Sequence, residues 1–190
     1  MGGPVKKNAT YADLVELPDN VVGEIVGGTL FVTPRPRVGH ALAQVQLLRE
    51  LDPRFHWGEG GPGGWMLLGE PELHLGAEIV VPDVAGWRAE RWAPLPADAP
   101  FVGLAPDWVC EITSPGTARL DRVHKLPVYL GAGVGFAWII DPVARTLEVL
   151  QATAEAGKSR WTLVAQHAAD EHVHAVPFEA VELELGRWWM

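Results

Sequence analysis

The sequence contains a single cysteine, Cys110, among its 190 residues, so it cannot form an internal disulfide bond, which favours a reducing compartment. It has no run of about 18 uninterrupted apolar residues, which argues against a membrane-spanning helix. Its first eight residues lack the apolar core of a secretion signal. These absences predict a cytoplasmic protein that does not associate with membranes.

Basic residues are also scarce. The sequence has 15 lysines and arginines but 24 aspartates and glutamates, which gives a formal net charge of −9. A domain that coats nucleic acid by bulk electrostatics is usually basic, so this balance argues against that role. It still allows an enzyme that contacts nucleic acid locally and offsets its own carboxylates with a metal ion. With 48% hydrophobic and 21% charged residues, the chain has a globular composition and is not disordered.

The pattern of elements predicts one domain over residues 1–190, with a core at about 11–150 and additional strands and a tail at 151–190. Its fold class is α/β or α+β, with a mixed β-sheet flanked by helices. Near the N-terminus we expect a helix at 10–17, a hairpin turning at Gly27-Gly28, and a helix at 38–51. The apolar stripe of that second helix is predicted to be Val38, Leu42, Val45 and Leu48. Further strands are predicted at 65–68, 72–75, 78–87, 108–113, 134–140, 146–150, 160–166 and 180–185, with a helix at 117–132.

Two acidic residues lie within predicted strands. Asp83 follows Val80-Val81-Pro82, and Glu111 lies in the apolar run 108–113; an ion buried there is costly unless something compensates it. Two carboxylates at the ends of adjacent strands would form an oxygen site suited to Mg²⁺ or Mn²⁺. The alternative is that each carboxylate bonds to backbone or to an arginine. Alternation places Cys110 on the opposite face from Glu111, where we expect it to pack in the core.

The helix predicted at 117–132 carries basic residues at intervals of three. Arg119, Arg122 and Lys125 would form a cationic stripe beside the carboxylate strand. The alternative is an ordinary surface pair between Asp121 and Lys125. Pro127 predicts a kink or a break close to Lys125.

Several short motifs follow one another in a recognisable order. They are EIVGGTL at 24–30, His40, VPD at 81–83, CEITSP at 110–115, DRVHKL at 121–126, AGV at 132–134 and WIIDP at 138–142. Together they resemble the Uma-type restriction endonuclease family, a branch of the PD-(D/E)XK nuclease superfamily. The resemblance covers about residues 11–150.

The resemblance implies a restriction-endonuclease-like core with a metal ion at a fork between strands. It implies Asp83 and Glu111 as ligands of Mg²⁺, which Mn²⁺ can replace, and Glu24 as an accessory acidic residue. The superfamily usually has a lysine two positions after the second carboxylate, where this sequence has Thr113. In this branch the lysine function has moved to the next helix, which here means Lys125.

These observations favour a Mg²⁺-dependent endonuclease acting on DNA, in which Lys125 positions the attacking water or neutralises charge. Arg119 and Arg122 would contact the DNA backbone, with His40 and Asp121 as accessory candidates. For His40 the alternative is an ordinary histidine on a helix surface. A second hypothesis is a nuclease fold that binds without turnover, and a third is a zinc-dependent hydrolase using the histidines His167, His172 and His174.

The aromatic residues suggest a partner. Trp65 and the C-terminal pair Trp188-Trp189 are expected to be difficult to bury within the chain. An exposed aromatic pair often marks a subunit interface. Because an enzyme that cuts both DNA strands gains from two-fold symmetry, we expect a homodimer.

Overall fold

The computed structural model describes residues 3–93, 95–96 and 98–189. None of the helices in these ranges is long and apolar enough to cross a membrane. Two five- to six-residue π-helices lie at Asp52–His56 and Leu120–Lys125, and a 3₁₀-helix lies at Leu185–Arg187. The strands and α-helices are β1 (Gly3–Lys7), α1 (Tyr11–Val15), β2 (Val21–Val26), β3 (Thr29–Pro34), α2 (Val38–Leu51), β4 (Trp65–Gly69), β5 (Leu73–Leu75), β6 (Glu78–Val80), β7 (Val84–Arg88), β8 (Trp108–Ile112), α3 (Leu126–Gly131), β9 (Phe136–Asp141), β10 (Thr146–Glu155), β11 (Lys158–Ala168), β12 (His172–Val173) and β13 (Leu183–Glu184).

The strands form two main sheets. A six-stranded sheet has the order β11-β10-β9-β8-β7-β4, and a five-stranded sheet has the order β1-β3-β2-β6-β5. In the six-stranded sheet β8 and β9 are parallel, whereas its other pairs are antiparallel. The parallel pair requires a long crossover, and this crossover contains the π-helix Leu120–Lys125 and α3. The predicted mixed-sheet α/β fold is therefore confirmed.

The hairpin predicted near the N-terminus is formed by β2 and β3. Its turn residues Gly27 and Gly28 have φ angles of 56° and 68°. This left-handed conformation is readily accessible to glycine and matches the twist of a two-residue hairpin. The turn therefore fixes the register in which Glu24 pairs with Phe31.

The prediction of a single continuous strand at 78–87 is wrong. Its first part, β6, pairs with β2 and β5 in the five-stranded sheet, whereas its second part, β7, pairs with β4 and β8 in the six-stranded sheet. Between them lies Pro82, which has no N–H to donate to a strand ladder. Asp83 consequently lies where the chain passes from one sheet to the other, rather than inside a strand.

Helix α2 has the predicted bounds, but its predicted buried stripe is wrong. Val38 and Val45 are 76% and 51% exposed, and the buried apolar residues are Ala43, Leu47 and Leu51. These three residues repeat every four positions and pack into the core cluster that contains β4 and β8 side chains. The helix therefore carries two apolar rows, the predicted one that begins with Val38 and a second one that begins with the small residue Ala43. Tertiary packing buries the second row.

The expectation that the C-terminal tryptophans mark a subunit interface is wrong. Trp188 is fully buried and Trp189 is 7% exposed. Trp188 Nε1 donates a hydrogen bond of 2.7 Å to Glu50 Oε2, so α2 supplies a buried acceptor for the C-terminal segment. Trp65 is also buried, with Phe178 beside its ring.

Candidate active site

One cavity gathers side chains from both sheets and from the helical crossover. It has a volume of about 670 Å³. The residues lining it include every one to which the nuclease hypothesis assigned a role in metal binding or catalysis: Glu24, His40, Asp83, Glu111, Asp121 and Lys125. Arg119 and Arg122, the predicted DNA contacts, are not among its lining residues.

Asp83 is held against strand β8. Its Oδ2 accepts a hydrogen bond of 2.6 Å from the backbone N–H of Ile112. The register of β7 and β8 pairs Val84 with Cys110, so its continuation by one residue places Asp83 opposite Glu111. Opposite positions on antiparallel strands hold their Cβ atoms about 5 Å apart on the same face. The sheet thus brings two carboxylates to the same cavity.

Glu111 lies in the centre of the six-stranded sheet and is 2% exposed. Its Oε1 accepts a hydrogen bond of 2.5 Å from the hydroxyl of Tyr129, and it lies 2.9 Å from Nζ of Lys125. Burial raises the pKa of Glu111 well above its ordinary range, and the positive charge of Lys125 opposes this shift. Cys110 packs into the core on the other face, as predicted, and burial raises the pKa of its thiol.

Lys125 is buried among acidic groups, with 3% exposure. Its Nζ lies 2.9 Å from Glu24 Oε1, and it donates hydrogen bonds of 3.0 Å to Glu111 Oε2 and 2.9 Å to the carbonyl oxygen of Val81. Burial by itself lowers the pKa of Lys125, but the charges of Glu111 and Glu24 outweigh burial and raise it well above its ordinary value. Lys125 is therefore a charged ammonium group at the centre of the site.

Asp121 is another carboxylate of this cavity, 4% exposed. Its Oδ1 lies 3.9 Å from Nζ of Lys125, so the alternative of an ordinary surface pair between these residues is wrong. Burial raises the pKa of Asp121 to about 6, although the Lys125 charge acts in the opposite direction.

Pro127 neither breaks the crossover helix nor directs Lys125 away. The chain stays helical over 118–131, and the proline lies in the first turn of α3, where its missing N–H is tolerated. A wide π-helical turn precedes it, with the N–H of Leu126 bonded to the carbonyl of Asp121 five residues back. Such turns are frequent at functional sites, and this one contains both Asp121 and Lys125.

The predicted cationic stripe does not form. Arg122 points to an exposed part of the sheet, where its guanidinium donates two hydrogen bonds, of 2.7 and 2.9 Å, to Glu148. Lys125 instead points into the cavity. The reason is that a π-helix has more residues per turn than an α-helix, so side chains three positions apart do not keep the same direction.

His40 lies in the cavity and not on a helix surface. Its Nε2 is 3.1 Å from Oδ1 of Asp83, and its side chain is 13% exposed. Burial acts to lower the pKa of His40, but the hydrogen bond and the charge of Asp83 raise it overall. His40 therefore orients the carboxylate oxygen of Asp83 that is not bonded to Ile112.

Sequence reasoning missed three residues of the site: Tyr129, which contacts Glu111 without lining the cavity, and two arginines that line it. Tyr129 lies four positions after Lys125, and this spacing predicts a shared helix face, which would have pointed to its contact with Glu111. Arg35 and Arg37 line the cavity from the loop between β3 and α2. Arg37 lies three positions before His40, close enough in a helix to be its neighbour.

The donor set fits Mg²⁺, although the described residues contain no group of three or more His, Cys, Asp or Glu side chains arranged around one metal position. Mg²⁺ is usually held by one or two carboxylates and completes its octahedron with waters and phosphate oxygens. Asp83 and Glu111 supply two such carboxylates. Like charges opposite one another on paired strands repel, so a divalent cation between them would stabilise the site.

The histidines of the zinc hypothesis do not converge in the described structure. His167 Nδ1 lies 3.2 Å from Glu171 Oε2, and His172 Nδ1 lies 3.1 Å from Glu182 Oε1. His174 Nδ1 lies 2.8 Å from the carbonyl oxygen of Glu179. Each histidine therefore has its own local partner, and the geometry gives the zinc hypothesis no support.

Comparison with known proteins identifies the family. The model of the Uma2 family, described as "Putative restriction endonuclease", matches residues 10–186. The chain belongs to the Uma2 family. The resemblance predicted from the motifs is confirmed, and the Uma2 match extends past residue 150 into the C-terminal strands.

A solved structure has the same fold as this Uma2 chain. It is described as a putative nuclease belonging to DUF820 from Anabaena variabilis ATCC 29413, and it superposes with a TM-score of 0.70. The match covers 95% of this chain and 98% of that chain at 22% sequence identity. This likeness supports a nuclease-like fold. No curated protein matches the chain.

Proposed function

We propose that this Uma2 protein is a metal-dependent endonuclease that hydrolyses phosphodiester bonds in DNA. The observation that carries the proposal is the pair Asp83, one residue before β7, and Glu111 of β8, which line one cavity beside the buried ammonium of Lys125. The cavity is lined by five carboxylates, on Glu24, Glu70, Asp83, Glu111 and Asp121, against the three cationic side chains of Arg35, Arg37 and Lys125, which leaves an excess of negative charge. Such a site is suited to a hard divalent cation.

Asp83 and Glu111 are the proposed holders of Mg²⁺ or Mn²⁺. When bound, the ion supplies Lewis-acid stabilisation of a phosphate oxygen and lowers the pKa of a water molecule. Asp83 is suited to this role because Ile112 and His40 fix the positions of its two oxygens. Its side chain is also 16% exposed, so it is accessible from the cavity.

Lys125 is proposed as a positioning residue that also neutralises charge. Its contacts with Val81, Glu24 and Glu111 account for the three protons of the ammonium group. It therefore orients Glu111 and reduces the repulsion between the carboxylates. Glu24 acts from the other sheet, because its Oε1 accepts a hydrogen bond of 2.8 Å from the N–H of Val81 and so anchors the segment that leads to Asp83.

DNA as substrate is supported by the description of the Uma2 family as restriction endonucleases. An enzyme that cuts both strands of a duplex gains from two-fold symmetry, so the proposal includes a homodimer. The buried tryptophans provide no interface for it. The proposed setting is the cytoplasm, in keeping with the single free cysteine.

A nicking assay on supercoiled DNA tests the proposed function. We expect activity with Mg²⁺ or Mn²⁺ and none in a chelator, with Asp83→Asn and Glu111→Gln each reducing the rate by more than about 100-fold. Asp19→Asn is a matched control, because Asp19 is exposed and does not line the cavity. Nicking that survives both cavity substitutions would contradict the assignment.

The second candidate function is a binding module without turnover. It is favoured by the closed arrangement of Glu111, whose oxygens already contact Lys125 and Tyr129. Titration calorimetry with Mg²⁺ separates the two candidates. Heat of binding that is lost in Asp83→Asn supports the nuclease, whereas a folded wild-type protein with no Mg²⁺ affinity supports the binding module.

A further inference from the structure

Three basic side chains other than histidine line the cavity, and they differ in how many hydrogen bonds and ion pairs they form within the protein. Lys125 is surrounded by carboxylates. Arg35 donates two hydrogen bonds, of 3.3 and 3.1 Å, to the carbonyl oxygen of Asp19, and its Nη1 lies 3.8 Å from Glu70. Arg37 is exposed, and its side chain has no hydrogen bond or ion pair to any residue that the structure describes.

Arg37 is also placed close to the proposed metal ligands. It is the residue directly before α2, and His40, three positions later, contacts Asp83 at 3.1 Å. Three residues of a helix rise about 4.5 Å along its axis. The backbone of Arg37 therefore lies less than one helical turn from the backbone of His40, the histidine that orients Asp83.

The negative charge of the site would repel a phosphate group unless a nearby cation offset it. A nucleic acid phosphate that approaches Asp83 enters a cavity rich in carboxylates, on a protein with a net charge of −9. A cation without an internal partner can offset this repulsion locally. Arginine is well suited to the task because its planar guanidinium binds two phosphate oxygens at once.

We propose that Arg37 is the phosphate-binding residue of this cavity and holds a backbone phosphate of the nucleic acid beside the bond that is cut. This inference rests on the proposed function and adds the residue that engages the substrate. It replaces Arg119 and Arg122 as the principal backbone contacts. Arg122 is paired with Glu148, and neither Arg119 nor Arg122 lines the cavity.

The chain offers a matched control for Arg37. Arg49 is also exposed, and its side chain likewise has no ion pair within the described residues. It differs from Arg37 in lying outside the cavity. A general electrostatic effect would make the two substitutions equivalent, whereas a phosphate contact in the cavity would separate them.

The test measures binding without cleavage. The affinity of the full chain for a fluorescently labelled DNA duplex is measured by anisotropy in Ca²⁺ at several salt concentrations, for wild type, Arg37→Gln, Arg37→Lys and Arg49→Gln. Each phosphate contact contributes about 0.9 to the slope of log K against log salt. We expect Arg37→Gln to bind about tenfold more weakly with the slope reduced by about 0.9.

The other variants give the remaining outcomes. Arg37→Lys is expected to keep the slope and lose part of the affinity, because a lysine keeps the charge but not the fork geometry. Arg49→Gln is expected to match wild type. An unchanged Arg37→Gln, or an equal loss in Arg49→Gln, overturns the inference while leaving the nuclease proposal intact. A wild-type protein that does not bind DNA at any salt concentration overturns the proposed function and this inference together.

Discussion

The hydroxyl of Tyr129 donates a hydrogen bond of 2.5 Å to Oε1 of Glu111, between an α-helix and the central strand of the six-stranded sheet. Both residues are buried, and burial raises the pKa of the tyrosine well above its ordinary value, with the charge of Glu111 adding to the shift. Tyr129 is therefore a permanent donor to the carboxylate. It orients Glu111 from one side while Lys125 orients it from the other.

Replacing Tyr129 by phenylalanine removes this donor and leaves the ring in place. Hydrogen bonds to charged groups contribute about 1.5 to 3 kcal/mol, so we expect the free energy of unfolding to fall by about that amount. Urea denaturation followed by circular dichroism measures the change. Tyr11→Phe is the control, because Tyr11 is 38% exposed and should change stability by less than about 0.5 kcal/mol. Equal effects at both positions would contradict the assigned role of Tyr129.

Replacing Lys125 by methionine leaves Glu24 and Glu111 buried without their cation. Removing one partner of a buried ion pair costs about 3 to 5 kcal/mol, and we expect a loss of this size at pH 7 in thermal or urea unfolding. The loss should shrink at pH 5, because burial raises the pKa of Glu111 and the variant lacks the ammonium charge that opposes this shift, so Glu111 can take up a proton there. Lys158→Met, at an exposed position, is expected to be neutral. A Lys125→Met protein as stable as wild type at pH 7 would show that the cluster does not depend on the ammonium group.

Asp121 should make stability depend on pH in a defined window. Its pKa is raised by burial from 3.8 to about 6, so between these values the folded state binds the proton more strongly than the unfolded state. The free energy of unfolding therefore falls as pH rises from about 4 to about 6, by at most about 3 kcal/mol. Unfolding of wild type and Asp121→Asn across this range isolates the contribution. Asp121→Asn should lack this pH-dependent fall in the free energy of unfolding. Identical pH profiles for the two proteins would contradict the raised pKa of Asp121.

Trp188 should be essential for stability. It is fully buried and donates to Glu50, so Trp188→Ala removes a large core side chain and leaves a buried carboxylate oxygen without its donor. We expect a loss of about 3 to 5 kcal/mol in urea unfolding monitored by circular dichroism. Trp57, which is 67% exposed, gives the comparison, and Trp57→Ala should cost less than about 1 kcal/mol. If Trp188→Ala were equally mild, the C-terminal segment would not be part of the core.

Much of the site could be predicted from the sequence, because its signals are local. Strand alternation in 108–113 separates Glu111 from Cys110 whatever lies around the strand. The hairpin turn at Gly27-Gly28 depends on backbone conformations of two residues. For the same reason the bounds of α2 agreed with prediction, and the short motifs were sufficient to indicate the family. The catalytic roles of the site residues remain predictions, which the experiments above test.

The tertiary structure decided what depends on contacts distant in sequence. It divided the segment 78–87 between two sheets at Pro82, and this placed Asp83 opposite Glu111. Lys125 was directed into the cavity because a π-helical turn changes the direction of successive side chains, which residue spacing alone does not reveal. Trp188 was buried because α2 supplies Glu50, 138 residues away in sequence, as its hydrogen-bond acceptor. Local propensity determined the elements and their chemistry, whereas long-range packing determined which faces and charges meet.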